Sequence, residues 1–203
     1  MSAIAAGSIA ERRAVLGMWV FLATELMFFG PLFFGYGYGR FEFGDAFAAA
    51  SRRTDVLLGA VNTAVLLASS GFMASAVDAL EDGRRLAAHR LLFVTAALGM
   101  AFLAIKGIEY RHDFERGLYP GSAMPLDGGQ QFFFVLYYAM TGLHALHLLI
   151  GIAVAAVFGA GIARGAAALA SPGRLRVAGL YWHFVDSIWI FLYPILYLVG
   201  RSG

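Results

Sequence analysis

Five long apolar stretches follow one another along this chain, at about residues 14–38, 55–79, 90–109, 131–162 and 175–200. A helix needs roughly 20 mostly apolar residues to cross a ~30 Å hydrocarbon layer, and each stretch meets that length. Charges bracket every one: Glu11, Arg12 and Arg13 before the first, Arg40 and Glu42 after it, Arg52, Arg53 and Asp55 before the second. Glu81, Asp82, Arg84 and Arg85 separate the second from the third, residues 111–116 close the third, and Arg164, Arg174, Arg176 and Arg201 flank the last two. Strands of a membrane barrel would show alternating segments of about 10 residues. Continuous segments of this length satisfy their backbone polar groups as helices instead. The expectation is an all-α, polytopic membrane protein with five transmembrane helices in a single domain spanning residues 1–203.

Composition rules out a soluble alternative. The 203 residues are 60% hydrophobic and only 14% charged, whereas a soluble domain carries about a quarter charged residues. The chain has no cysteine, which excludes disulfides, thiolate metal sites and iron–sulfur clusters. The net charge of +2 comes from arginines at the span ends. They form no continuous basic stripe of the kind that binds nucleic acid. Eight arginines (12, 13, 84, 85, 90, 164, 174 and 176) fall on one side of the membrane and six (40, 52, 53, 111, 116 and 201) on the other. By the positive-inside rule this places the N-terminus in the cytoplasm and the C-terminus in the periplasm of a bacterial inner membrane. The first apolar segment is too long for a signal-peptide core and is read as a retained helix.

The longest connections are 39–54 and 111–130, and Pro120, Gly121, Pro125, Gly128 and Gly129 in the second read as turns. Small residues recur every fourth position at Ala60, Ala64 and Ala68, and again at Gly151, Ala155 and Gly159. That spacing allows close helix–helix approach in lipid, although an Ala-rich chain also produces it without purpose.

Ionisable residues inside a span are costly, and they face a bundle interior, pair with something, or mark a pathway. Glu25 sits in the middle of the first span, within WVFLATELMFFGPLFF. It reads either as a proton-exchanging or lipid-headgroup-binding acid, or as a neutral carboxylic acid bonded to a neighbouring helix. Lys106, Glu109 and Tyr110 form KGIEY at the end of the third span. Lys106 and Glu109 are three residues apart and can pair. An interfacial anchor with a snorkelling lysine is favoured there over a catalytic role. His144 and His147 lie three apart in TGLHALHLLIG, and His183, Asp186 and Trp189 lie three apart in YWHFVDSIWIFLYP. Histidines at i, i+3 occur in helical metal sites. Interhelical hydrogen bonding, with Asp186 accepting from a histidine, and plain packing are the competing and favoured readings. Pro194 is expected to kink the last helix.

These same stretches carry a resemblance. GMWVFLATELMFFGPLFF at 17–34, FLAIKGIEY at 102–110, FFFVLYYAMTGLHALHLLIGI at 132–152 and YWHFVDSIWIFLYPILYL at 181–198 are together similar to the subunit III family of haem-copper respiratory oxidases, in its shorter, five-helix form. The resemblance implies two bundles, of two and three helices, separated by a V-shaped cleft holding phospholipid. It implies packing against the oxidase subunits I and II, with haem and copper in those partners, no redox cofactor in this chain, and membership of a respiratory supercomplex as a further option. It implies that Glu25, His144 and His147 belong to the lipid cleft or support proton uptake. Lys106, Glu109, Tyr110, His183, Asp186 and Trp189 would form a structural polar network. The catalytic core of the family needs six histidines and this chain has five, so the resemblance is to an accessory subunit of a cytochrome c oxidase. A quinol-oxidase or nitric-oxide-reductase-associated relative shares the motifs. Lys106 departs from the glutamine expected in many members. A different class remains as an alternative: a stand-alone transporter or proton channel with Glu25, Glu109 and Asp186 as a relay. Against it, no pair of interrupted spans of the transporter kind stands in corresponding halves.

Overall fold

The computed structural model describes residues 2–121, 126–166 and 169–201, with side chains from residue 12 onward; Pro125, read above as a turn residue, lies outside them. Six helices follow in order: α1 (Ser2–Glu42), α2 (Gly44–Ser51), α3 (Val56–Glu81), α4 (Arg85–Glu115), α5 (Gly128–Ala163) and α6 (Pro172–Tyr193). The chain continues from α6 through a π-helical turn, Pro194–Leu198, and a 3₁₀ turn, Val199–Arg201. Five of these helices are long and apolar enough to cross a membrane, and the protein is a multi-pass membrane protein.

The helix ends explain why each span outruns its apolar segment. Asp55 caps α3, its carboxylate accepting from the backbone N–H of Leu57 and Leu58 at 3.0 and 3.1 Å. Asp127 caps α5 by accepting from Gln130 N–H at 2.7 Å. Gly128 and Gly129 therefore open a helix and do not form a turn. At the other ends Gly83, Gly117 and Gly165 take φ values of +77°, +68° and +72°. At these positions the chain turns back to satisfy the last carbonyls, as in Arg84 N–H to Ala79 O and Leu118 N–H to Asp113 O, both 2.8 Å.

α3, α4, α5 and α6 pack around one interior, each against two others, while α1 leans on α5 and α6 and, near its C-terminal end, on α2. α1 thus stands to one side of the other four spans. The physical reason lies in α1. Among its described side chains only Leu22, Phe29, Tyr36 and Gly39 are buried, a narrow seam whose first three members are seven residues apart. Its other faces are large and apolar, with Met27 and Phe34 each 78% exposed, and have no partner in the described chain.

In the four-helix interior, Trp182 lies over Gly99 and Gly151, where an added Cβ would come within 3.0 and 3.1 Å of its ring. Its indole N–H donates to Ser69 Oγ at 3.2 Å. Thus the Gly151, Ala155 and Gly159 stripe is buried, consumed by α4 and α6. The Ala60, Ala64 and Ala68 stripe is not, and Ala64 and Ala68 stay exposed.

Pro194 lacks an N–H, and the helix widens at this point rather than simply bending. Beyond Pro194, carbonyls at this last turn are taken by side chains. Tyr36 hydroxyl donates to Ile195 O, and Ser51 hydroxyl to Leu196 O at 2.9 Å. α2, read from the sequence only as part of a connection, holds this end in place. Phe47 is fully buried against Tyr36, Phe132 and Phe133. Arg201 then reaches across to the carbonyls of Arg52 and Thr54 at 3.0 and 2.7 Å.

Candidate functional site

Glu25, near the middle of α1, meets His147, near the middle of α5, with Oε2 to Nε2 at 2.9 Å. The other ring nitrogen of His147, Nδ1, lies 2.8 Å from Leu143 O. A carbonyl only accepts, so Nδ1 carries a hydrogen, an assignment made from the hydrogen bonds. The Glu25–His147 contact then holds a single proton, either on the carboxyl facing a neutral imidazole or on Nε2 facing a carboxylate. In both forms the pair is neutral overall, which is what a hydrocarbon setting requires. Phe29 packs at a tilt, its ring centroid 5.5 Å from that of the imidazole, and Tyr181 hydroxyl donates to His147 O at 2.9 Å.

The pair stands between two grooves that separate α1 from the bundle. One, of about 380 Å³, runs between α1, α5 and α6; Phe21, Ile150, Val177 and Tyr181 are in its walls and Arg174 is its charged residue. The other, of about 460 Å³, lies between α1 and α6, with Leu26, Phe33, Phe184, Ile188 and Phe191 among its walls. Both have predominantly apolar walls and lie along the α1 seam.

His144 takes a different direction. One helical step of three residues rotates a side chain by about 300°, and the remaining 60° sends His144 into the bundle. It is fully buried between Phe102 and Trp189, with ring centroids at 5.4 and 5.2 Å. Neither of its ring nitrogens has a hydrogen-bond partner. The two histidines therefore do not share a ligand. Among the described residues no three His, Asp or Glu side chains converge as a metal site.

Lys106 is not a snorkelling anchor. It is 3% exposed and Glu109 1%, because α4 continues well beyond the expected end at residue 109. Its ammonium donates to Glu109 Oε2 at 3.1 Å, Tyr137 hydroxyl at 2.9 Å and Tyr197 hydroxyl at 2.5 Å. The two phenols in turn donate to Glu109 Oε1 at 2.8 and 2.6 Å. All three ammonium hydrogens and both carboxylate oxygens are thereby satisfied, and the cation also lies 4.6 Å from the Tyr137 ring centroid. Tyr137 also reaches Asp113, a second buried carboxyl, at 3.2 Å. Tyr110 is on the rim: Thr141 donates to Tyr137 O, so Tyr110 donates to Thr141 at 2.6 Å.

The remaining expected residues fall on the α3–α6 seam. His183 Nδ1 pairs with Ser70 hydroxyl at 2.7 Å, and Trp189 indole N–H donates to Thr63 hydroxyl at 3.0 Å. Asp186 does not accept from a histidine. Its two oxygens have no hydrogen-bond partner of ordinary geometry, and Ser70 is a neighbouring hydroxyl. Tyr137, Tyr197 and Asp113 escaped the sequence reading. Asp113 could have been found as an i+4 neighbour of Glu109, but the phenols come from helices 31 and 91 residues away from Lys106.

The sequence profile of cytochrome c oxidase subunit III matches residues 8–201. Among curated proteins, cytochrome c oxidase subunit 3 of Alkalihalophilus pseudofirmus is 30% identical over 93% of this chain and 87% of its own length. Cytochrome bo(3) ubiquinol oxidase subunit 3 of Pseudomonas putida is 29% identical over 92% of this chain and 86% of its own. A heme-copper oxidase subunit I+III of Aeropyrum pernix is 29% identical over 90% of this chain, which spans 22% of that longer protein.

Proposed function

The chain belongs to the cytochrome c oxidase subunit III family and is subunit III of a haem-copper oxidase, and from that premise we propose that it works as an accessory subunit that performs no electron transfer of its own. Haem and copper do not fit its residues. His89, His147 and His183 are engaged by Gly159 O, Glu25 and Ser70, and His144, which has two unpartnered nitrogens, is enclosed by Phe102 and Trp189. On this reading the redox centres belong to partner subunits I and II. This chain sits beside them in a bacterial inner membrane, with its N-terminus in the cytoplasm.

The observation that carries the reading is the Glu25–His147 pair between two apolar grooves. A neutral pair that can carry its proton on either partner holds and exchanges a proton without burying net charge. Beside subunit I it would support proton uptake during turnover and protect that subunit from inactivation. The grooves have the shape and lining for phospholipid acyl chains, and Arg174 suits a headgroup phosphate at the membrane edge. Cytochrome c is the proposed electron donor. The similarity to a ubiquinol oxidase subunit at nearly the same identity makes quinol the second reading, and other subunits decide between them.

The test is purification in mild detergent through a tag on this chain, followed by subunit identification and a reduced-minus-oxidised spectrum. An a-type haem spectrum with large and copper-binding partners supports the cytochrome c reading. A b-type spectrum with oxidase subunits moves it to quinol. A colourless chain alone overturns the accessory role.

A further inference from the structure

Asp113 brings a carboxyl that the Lys106 cluster does not neutralise. It is 2% exposed and lies in the last turn of α4, which ends at Glu115. Lys106 commits its three ammonium hydrogens to Glu109 Oε2, Tyr137 and Tyr197, so a single cation faces two buried carboxyls. Arg116, the next cation along the chain, is exposed and acts on Asp113 only through its charge from the water side. A charge buried in hydrocarbon without a partner is so costly that the group takes its neutral form instead.

The hydrogens lead to the same assignment. An ionised carboxylate only accepts, so a buried one needs donors. Among the described residues the side-chain carboxyl of Asp113 has one hydrogen-bonding neighbour, the Tyr137 hydroxyl at 3.2 Å. The single hydrogen of that hydroxyl goes to Glu109 Oε1, which is nearer at 2.8 Å. Tyr197 also donates to Glu109, Tyr138 donates to Leu118 O and Tyr110 to Thr141, so none of these phenols supplies Asp113. An ionised Asp113 would therefore set a lone pair against the lone pair of a phenol. A protonated Asp113 reverses the contact: its Oδ2–H donates to the Tyr137 oxygen, which has a lone pair left beside the one that Lys106 uses. Every hydrogen then has an acceptor, and the cluster of one ammonium, one carboxylate and one carboxylic acid is neutral overall.

We propose that Asp113 is a proton-binding site, holding a proton at neutral pH, donating it to the Tyr137 oxygen and exchanging it with the water at the end of α4. On the orientation proposed above that water is periplasmic. The site involves residues of this chain alone, goes beyond the accessory role, and is separate from the Glu25–His147 pair. When the proton leaves for water, the Tyr137 hydrogen turns from Glu109 to the new carboxylate on Asp113. The phenol is thus the link through which pH at that membrane face reaches the Lys106–Glu109 pair.

Infrared spectra of the intact complex test this, with the carboxyl carbons of aspartate carrying a heavy isotope. The difference between wild type and Asp113→Asn should contain the carbonyl stretch of one protonated acid and no loss of a carboxylate stretch. That acid band should fall in frequency with the aspartate label and fall slightly again in heavy water. Glu109→Gln provides a second reading should Asp113→Asn fail to assemble. It leaves Asp113 as the one carboxyl facing Lys106, so the labelled acid band should give way to a labelled carboxylate band. Loss of a carboxylate band in Asp113→Asn, with the acid region unchanged, would show an ionised Asp113 and overturn the proposal. An acid band that follows a glutamate label would overturn it too, by placing the proton on Glu109. So would an acid band unmoved by heavy water, which would mean a proton sealed from solvent, or a labelled acid band that persists unchanged in Glu109→Gln.

Discussion

Removing Lys106 is the sharpest perturbation the structure offers. Its ammonium neutralises Glu109 inside the four-helix interior, and the same pocket holds Asp113 through Tyr137. Breaking one side of a buried ion pair costs about 3–5 kcal/mol, because the remaining charge stays in low dielectric. In Lys106→Met Glu109 loses its cation and Asp113 keeps only Arg116, so the cost should fall inside that range, near ~4 kcal/mol. Glu109→Gln leaves a milder defect: Asp113 remains as a counter-charge, and the two phenols and four aromatic rings still surround the ammonium. A loss of about 2 kcal/mol is expected, the worth of one hydrogen bond to a charged group. The double variant removes both charges and should cost about 3 kcal/mol, so the coupling is also about 3 kcal/mol, the top of the usual range for neighbours. Reversible unfolding in mixed micelles with increasing SDS, followed by tryptophan fluorescence, measures all three. Trp189 lies 5.6 Å from the ammonium and reports the site. Losses that add to within about 0.5 kcal/mol, the scatter of independent sites, would refute the claim that the pair is a coupled unit. A neutral Lys106→Met would refute its burial as a cation.

Three further outcomes are expected. Glu25→Gln, which keeps a donor toward His147 but cannot exchange a proton, should leave assembly intact and hasten loss of oxidase activity during continuous turnover; unchanged activity over many turnovers would remove the proton role. Gly99→Ala should destabilise by about 1–3 kcal/mol through overpacking, since its Cβ would lie 2.8 Å from Ile152 and 3.0 Å from Trp182; Gly107→Ala, with open space around it, should stabilise by up to ~1 kcal/mol, and thermal unfolding compares the two. Asp55→Ala should cost about 1 kcal/mol by loss of the α3 cap, read in the same melt.

The spans were legible because hydropathy acts over whole segments, and five apolar runs locate five helices whatever their packing. Most of their ends were not, since Asp127 and the three left-handed glycines extend helix into polar sequence. α2 was missed as a helix for a related reason: eight residues give no periodic signal, and its Phe43 N-cap makes no side-chain bond. The position of α1 to one side was also hidden. α1 is as apolar as its neighbours, and only the contacts reveal that a single seam of it is used. At the site, the i, i+3 spacing of Lys106 and Glu109 was enough to join them. The same spacing misled for His144 and His147, whose 60° offset sends one to Trp189 and the other to Glu25. Long-range partners such as Tyr197 have no local signature at all.

The buried polar groups can be ordered by where their partners come from. Lys106 and Glu109 lie inside the four-helix interior and are satisfied by that interior alone. Glu25 and His147 lie between α1 and the bundle, and they satisfy each other across the groove with one proton between them. His183 and Asp186, at the same depth in the membrane, lie on the outer seam and are satisfied only in part. Burial in hydrocarbon penalises all of these groups alike, yet depth alone does not set how well they are satisfied, since fully buried His144 and Asn62 also lack hydrogen-bond partners among the described residues. What separates the Lys106 cluster is that its charges are closed within the four helices, so its variants should act on stability in the isolated chain. A variant at Glu25, whose partner lies across a helix boundary, should leave that stability nearly unchanged and is expected to show itself in turnover of the whole complex instead.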